Sequence, residues 1–242
     1  MKVLAINGSP RGASGSTFPV ADAFLQGAAE TGAETEAVQV ARCDIHACTG
    51  ELHCFFKIPG KCIWDDDMAD LLPKVAAADV LVLGSPLYFG GPTGQLKTFV
   101  DRLTPLLDPM AGLRGDGPAT LRDGKTISDI VLVGSCGDWG TTAFDPLVAW
   151  AQAVANSLHS DFAGALLRPH APFVRDLADK GTPPEGVYDA AREAGRQIVR
   201  SGTLKEETLA AVAQELIDFD AYVDHLRATF ESAATTGDAP EA

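Results

Sequence analysis

Basic side chains are scarce: 19 Lys and Arg stand against 33 Asp and Glu in 242 residues, a net charge of −14. That balance excludes nucleic acid or an anionic membrane surface as partner, since both demand clustered positive charge. A small anion is not excluded, because it answers only to its local site. Long apolar runs are also missing, and none approaches the roughly 20 residues of a membrane helix. After Lys2 only Val3-Leu4-Ala5-Ile6 is apolar before Asn7-Gly8, so the chain does not open on a signal peptide. A cytoplasmic protein is the expectation. There is no even set of cysteines; five in such a chain do not make a disulfide framework. Catalytic signatures are absent as well. No Lys-Ser/Thr pair follows the first glycines, no Gly-x-Gly-x-x-Gly stands there, and no Gly-x-Ser-x-Gly elbow occurs. Cys136 has no Arg in the nine residues after it, which removes a cysteine phosphatase.

The elements present alternate. Lys2–Ile6, Glu34–Val40, Asp79–Gly84, Ile127–Val133 and Phe162–Leu167 are short, apolar and rich in β-formers, and read as five strands. Between them lie helical stripes. The first runs over 17–31 with Val20, Phe24, Leu25 and Ala28 at helical spacing and Pro19 in its first turn. Residues 66–75 form a second. Leu96, Phe99, Val100, Leu103 and Leu106 mark a third. Leu147, Trp150, Ala151, Val154 and Leu158 follow the expected cap Asp145-Pro146, and 188–199 complete the set. Residues 108–124, rich in Gly, Pro and charge, read as a surface loop. Strand–helix alternation implies parallel strands joined by crossover helices. In such open sheets ligands bind beyond the carboxyl ends of the strands. Segments 8–17, 41–64, 85–92, 134–142 and 168–172 all fall on that edge.

Two of these loops carry chemistry. Gly8-Ser9-Pro10-Arg11 through Ser16-Thr17 links the first strand to the first helix. A helix N-terminus offers unpaired N–H groups and a positive dipole end, and glycines let the backbone close on an anion. Ser9, Ser16 and Thr17 add hydroxyl donors, and Arg11 a guanidinium fork for a phosphate oxygen. The third strand ends in Ser85-Pro86-Leu87-Tyr88-Phe89-Gly90-Gly91, which supplies backbone amides, two aromatics and small residues suited to a flat heteroaromatic ring.

These motifs, with Gln95-Leu96-Lys97, Phe99, Asp101 and Arg102, resemble the NADPH-dependent FMN reductases and iron–sulfur flavoproteins of the flavodoxin-like superfamily, over roughly residues 1–170. The resemblance implies a doubly wound five-stranded parallel sheet of order 2-1-3-4-5, with non-covalent FMN at its carboxyl edge. Ser9, Arg11, Ser16 and Thr17 would hold the phosphate. Pro86, Leu87, Tyr88, Phe89 and Gly90 would line the ring, and Ser135, Cys136 and Gly137 would meet its other side. It further implies a homodimer in which NAD(P)H passes hydride to FMN and on to a small acceptor such as a quinone or flavin. The alternative is an electron carrier fed by a protein partner. No side chain is assigned as catalytic.

Cys43, Cys48, Cys54 and Cys62 crowd one stretch. Cluster-bearing relatives place a cysteine where this chain has Glu51, and three thiolates with a carboxylate are a poor set for a four-iron cluster. Free structural thiols, a cluster recruiting Cys43, a zinc site using His46 or His53, and a redox-active pair remain the alternatives. The segment can also form a wall or lid over the flavin or a dimer contact. His170 either faces the site or is an ordinary loop residue. Residues 1–202 are expected to form the FMN-binding domain, 203–232 an extra amphipathic helix and 233–242 a flexible tail. The helix opens on a capping-box spacing, Thr203 to Glu206, and carries Leu209, Val212, Leu216, Phe219, Val223, Leu226 and Phe230 in an a/d pattern. From Thr203 onward nine acidic residues face two basic ones, half the net charge. The helix either lies along its own domain or forms a dimer contact.

Overall fold

In the computed structural model, which describes residues 1–110, 121, 122 and 124–236, five parallel strands lie in the order β2-β1-β3-β4-β5. They are β1 (Lys2–Asn7), β2 (Glu34–Gln39), β3 (Val80–Pro86), β4 (Asp129–Ser135) and β5 (Asp161–Arg168). The sheet takes this form because its central strands are apolar on both faces. Leu4, Ile6, Leu81, Leu83, Ile130 and Leu132 point into one core, while Val3, Ala5, Val80, Val82, Val131 and Val133 point into the other. The period of two thus splits each strand between two helical layers.

One layer holds α3 (Met68–Ala76), α4 (Gly94–Asp101) and α5 (Asp145–Leu158), reached after the single-turn α2 (His53–Phe56). The other holds α1 (Phe18–Glu30) and α7 (Glu185–Ser201). Between β5 and α7 lies α6 (Ala171–Asp179), a helix not expected from the sequence because its apolar stripe is only two turns long. The flavodoxin-like architecture with an extra C-terminal helix is therefore present.

The C-terminal region departs from a single continuous helix. It breaks into α8 (Glu206–Val212) and α9 (Phe219–Thr236), so the a/d pattern spans two helices. The Thr203 capping box does not form; Lys205 occupies the cap of α8 without a side-chain bond. Asp145 likewise is the first residue of α5 and not its cap. Residues 233–236 belong to α9, and 237–242 lie outside the described residues. So do 111–120 and 123 of the expected surface loop. α8 packs over the face of β5, where Leu204 and Leu209 approach Gly164. No described helix is long and apolar enough to cross a membrane.

α1 and α7 meet at a crossing that only glycine permits. A Cβ on Gly27 would stand 1.8 Å from the Arg192 carbonyl oxygen, and one on Gly195 would stand 2.0 Å from that of Phe24. Gly27→Ala or Gly195→Ala is expected to cost about 2–3 kcal/mol through overpacking, although alanine is the better helix former by about 1 kcal/mol. Urea unfolding monitored by circular dichroism checks this; an unchanged midpoint would refute the close crossing.

Candidate active site

The carboxyl ends of β1, β3 and β4 converge because four hydrogen bonds stitch their loops together. Gly8 N–H donates to the Gly84 carbonyl at 2.7 Å. The Thr93 hydroxyl donates to the Gly8 carbonyl at 2.6 Å, while Thr93 N–H donates to Ser85 Oγ at 3.0 Å. Leu87 N–H donates to the Ser135 carbonyl at 2.8 Å. Thr93 and Ser85 are fully buried, so each bond forms where water cannot substitute for it. Thr93 also caps α4 by accepting from Leu96 N–H.

The β1 loop is shaped from beneath by Asn7. Its amide donates to the Gly12 carbonyl and to Gln39 Oε1, and its oxygen accepts from Ser9 N–H. A Cβ at Gly15 would stand 2.3 Å from Ser9 Oγ. The loop is thus curled to a concavity that a side chain would fill, immediately before the first turn of α1. Thr17 is buried, and its hydroxyl lies 2.7 Å from Ser135 Oγ, which ties the phosphate-type loop to the end of β4.

These elements enclose a cavity of about 470 Å³, within the range of small-molecule sites. Ten of the twelve residues expected at the site line it: Ser9, Arg11, Ser16, Thr17, Pro86, Leu87, Tyr88, Ser135, Cys136 and Gly137. Phe89 and Gly90 are not among the lining residues. They form the tip of a tight hairpin closed by reciprocal bonds between Tyr88 and Gly91, with positive φ at both tip residues, and the Phe89 ring projects fully into solvent. The turn geometry, invisible in composition, decides this.

The rest of the wall was missed by sequence reasoning. α6 contributes Ala171, Pro172, Arg175, Asp176 and Asp179, and α9 contributes His225, Leu226, Thr229 and Phe230. Ala171 and Pro172 fall in the 168–172 segment expected on this edge, and Pro172, in a first-turn position, was the available signal for α6. Arg175 donates to the Ser14 carbonyl at 3.1 Å and pairs with Asp179 at 3.6 Å. Arg11 is pushed below its ordinary pKa first by burial and then by the charge of Arg175. Two cations therefore face one cavity beside a helix N-terminus, which favours an anion there.

Two other groups are poor proton carriers at neutral pH. Burial pushes the Cys136 thiol up to about 11, so it stays protonated and weakly nucleophilic. His170 is fully buried at the end of β5 and is not a lining residue. Burial, then the Arg168 guanidinium, pushes its pKa down to about 4. Arg168 Nη2 lies 2.6 Å from His170 Nδ1, so Nδ1 accepts and the proton sits on Nε2.

The cysteine segment does not reach this cavity. It borders a separate one, lined by Cys48, Glu51, Cys54 and Cys62 together with Asp101 and Arg102. Arg102 is buried and grips Asp66 through both terminal nitrogens at 2.6 and 2.9 Å. Burial would raise the Asp66 carboxyl, but Arg102 and the amides of His46 and Met68 prevail and hold it at about 2. Among the described residues no three His, Cys, Asp or Glu side chains converge closely enough to hold a metal ion. Three thiolates with the Glu51 carboxylate are a donor set that does not fit a four-iron cluster.

The model of the NADPH-dependent FMN reductase family matches residues 1–123. The chain belongs to that family. An iron–sulfur flavoprotein of Methanocaldococcus jannaschii is 44% identical over 106 residues, which are 44% of this chain and 53% of the relative. One of Methanosarcina thermophila is 33% identical over 102 residues, 42% of this chain and 52% of the relative. The chain thus spans about half the length of the curated relatives it matches. Among solved structures, the FMN-dependent NADH-azoreductase of Bacillus anthracis in complex with FMN superposes with a TM-score of 0.58 at 15% identity, covering 83% of this chain and all of that one. The NAD(P)H:quinone oxidoreductase of Methanothermobacter marburgensis gives 0.57 at 18% identity, covering 82% and 96%. At such identities the likeness is one of fold. Membership in the reductase family makes FMN the cofactor against which the cavity is to be compared. The cavity's donor set fits FMN: two guanidiniums, hydroxyls and a helix N-terminus at one end, with Pro86, Leu87 and Tyr88 at the other.

Two outcomes test this geometry. Thr93→Val keeps the shape of the side chain but strands the Gly8 carbonyl, at a cost of about 1–3 kcal/mol. It is expected to weaken FMN binding as well, read by flavin fluorescence titration. For His170, the folded pKa lies below the unfolded value, so the unfolded chain binds the proton more tightly. Its contribution is present above about pH 6.5 and is lost as pH falls toward 4. The urea midpoint is expected to drop across that window and to drop less in His170→Asn.

Proposed function

We propose that the protein is an FMN-dependent NAD(P)H oxidoreductase, with the cofactor phosphate at the β1–α1 loop and the ring against β3 and β4. The observation that carries this is the single cavity joining the two loops, with cations at one end and an apolar strand-end loop at the other. Ser9, Ser16 and Thr17 would donate hydroxyls and the first amides of α1 their N–H groups to the phosphate, while Arg11 and Arg175 neutralise its charge. Pro86, Leu87, Tyr88, Ser135, Cys136 and Gly137 would orient the ring. FMN, when bound, supplies a ring that accepts two electrons from a nicotinamide and returns them to an acceptor. The chain's part is to bind, orient and exclude water. No side chain is assigned a proton, since Cys136 and His170 hold theirs too firmly or too weakly at neutral pH. A small aromatic acceptor such as a quinone, a homodimer and a cytoplasmic location belong to this proposal.

A second reading is an electron carrier fed by a protein partner, and the curated relatives named as iron–sulfur flavoproteins motivate its cluster version. Iron and labile-sulfide analysis separates a cluster version of it from the first.

The test is reconstitution with FMN followed by anaerobic addition of NADPH or NADH. Bleaching of the flavin band is expected, and its absence would refute the reductase. Arg11→Gln and Arg175→Gln are each expected to weaken FMN binding by about 10-fold or more, the worth of a charge-assisted hydrogen bond. Equal affinity for riboflavin and FMN in the wild type would show that the phosphate is not held there.

A further inference from the structure

The C-terminal helix α9 belongs to the wall of the cavity through one face. His225, Leu226, Thr229 and Phe230 recur at the one-turn spacing that places residues side by side on a helix, and all four line the cavity. The helix is firmly seated. Tyr222, 2% exposed, donates its hydroxyl to the Gly137 carbonyl at 2.6 Å, and Gly137 is itself a lining residue. The Trp139 ring stands 4.5 Å from His170, 5.7 Å from Phe219 and 5.7 Å from Tyr222, and His225 meets Phe173 at 5.2 Å.

A second anchor acts on the segment before α9. Arg168, at the end of β5, is fully buried and pairs with no carboxylate in the described structure. Its donors go to the carbonyls of Pro169, Val212 and Gln214 and to His170. The cation thus fixes the exit of α8, and with it the point from which α9 departs, to the strand edge that carries the site.

The wall that results is aromatic at its outer margin. Phe230 is 66% exposed although it borders the cavity, and Tyr88, contributed by the β3 loop, is 50% exposed. Two rings left in water at one cavity are unfavourable unless a flat apolar ligand covers them. The same wall carries Asp176 and Asp179, which place negative charge near the two rings and disfavour a compact anion seated there without a cation of its own.

We propose that α9 is the acceptor-selecting wall of the site, with His225, Thr229 and Phe230 lining it together with Tyr88 to admit flat aromatic acceptors over compact anionic ones. This rests on the flavin reading of the cavity. The residues of α9 are specificity determinants, and Tyr222 and Arg168 are positioning residues that hold the helix in place.

Two measurements on the full chain test it. In the first, hydrogen exchange of residues 219–236 is followed with and without FMN. Bound cofactor is expected to slow it about tenfold, and Tyr222→Phe to reduce that protection while leaving exchange in β1 and β3 unchanged. In the second, kcat/KM is compared for a naphthoquinone and for ferricyanide. Phe230→Ala is expected to lower the quinone-to-ferricyanide ratio about fivefold, the worth of one aromatic contact, mainly through the quinone KM. FMN that binds without altering exchange in 219–236, or an unchanged ratio in Phe230→Ala, overturns the role of α9 and leaves the flavin reading standing. No FMN binding at all brings down both.

Discussion

The Thr93 hydroxyl, donated to the Gly8 carbonyl at 2.6 Å in a fully buried position, joins the two strand ends between which the cavity opens. β1 and β3 are already neighbours in the sheet. Register alone, however, would leave their loops free to splay. The Thr93 side chain caps α4, holds the turn of the phosphate-type loop, and through its own N–H draws in Ser85. Because each partner is buried, each bond is costly to break. The cavity's shape is therefore a property of the core as much as of its lining.

Charge is handled by local arrangement in a chain whose total is strongly negative. Two buried guanidiniums show two solutions. Arg102 meets a carboxylate, Asp66, in a two-point pair that fastens the cysteine segment against the end of α4. Arg168 meets only carbonyl oxygens and a neutral imidazole. Burial pushes its pKa down to about 10, which still leaves it charged at neutral pH. The first arrangement fixes a loop far from the cavity. The second joins the C-terminal segment to the strand that borders it. A third pair, Arg11 and Arg175, is left facing the cavity, where an anion relieves their mutual repulsion.

The cysteine segment is separate from the main cavity. The curated relatives are named as iron–sulfur flavoproteins, yet here Glu51 stands among Cys48, Cys54 and Cys62, and no metal-holding group forms among the described residues. The nucleotide-type cavity does not depend on that segment for any lining residue.

Much of this protein was set by local sequence. Two-residue alternation in β1, β3 and β4 assigns each side chain to one of two cores, and that pattern needs no partner to be read. The glycines, hydroxyls and Arg11 of the first loop were legible as groups suited to an anion, because helix termini and close backbone approach are local properties. What the tertiary structure decided lies at longer range. Phe89 leaves the cavity because a two-residue turn rotates it outward. Arg175 enters because α6 follows β5 onto the same edge. The apolar stripe of the last 40 residues was visible, but a helical period says only that a face is covered, not by what. The break after Val212, fixed by Arg168 across more than 40 residues of chain, turns that stripe onto the cavity its own domain forms.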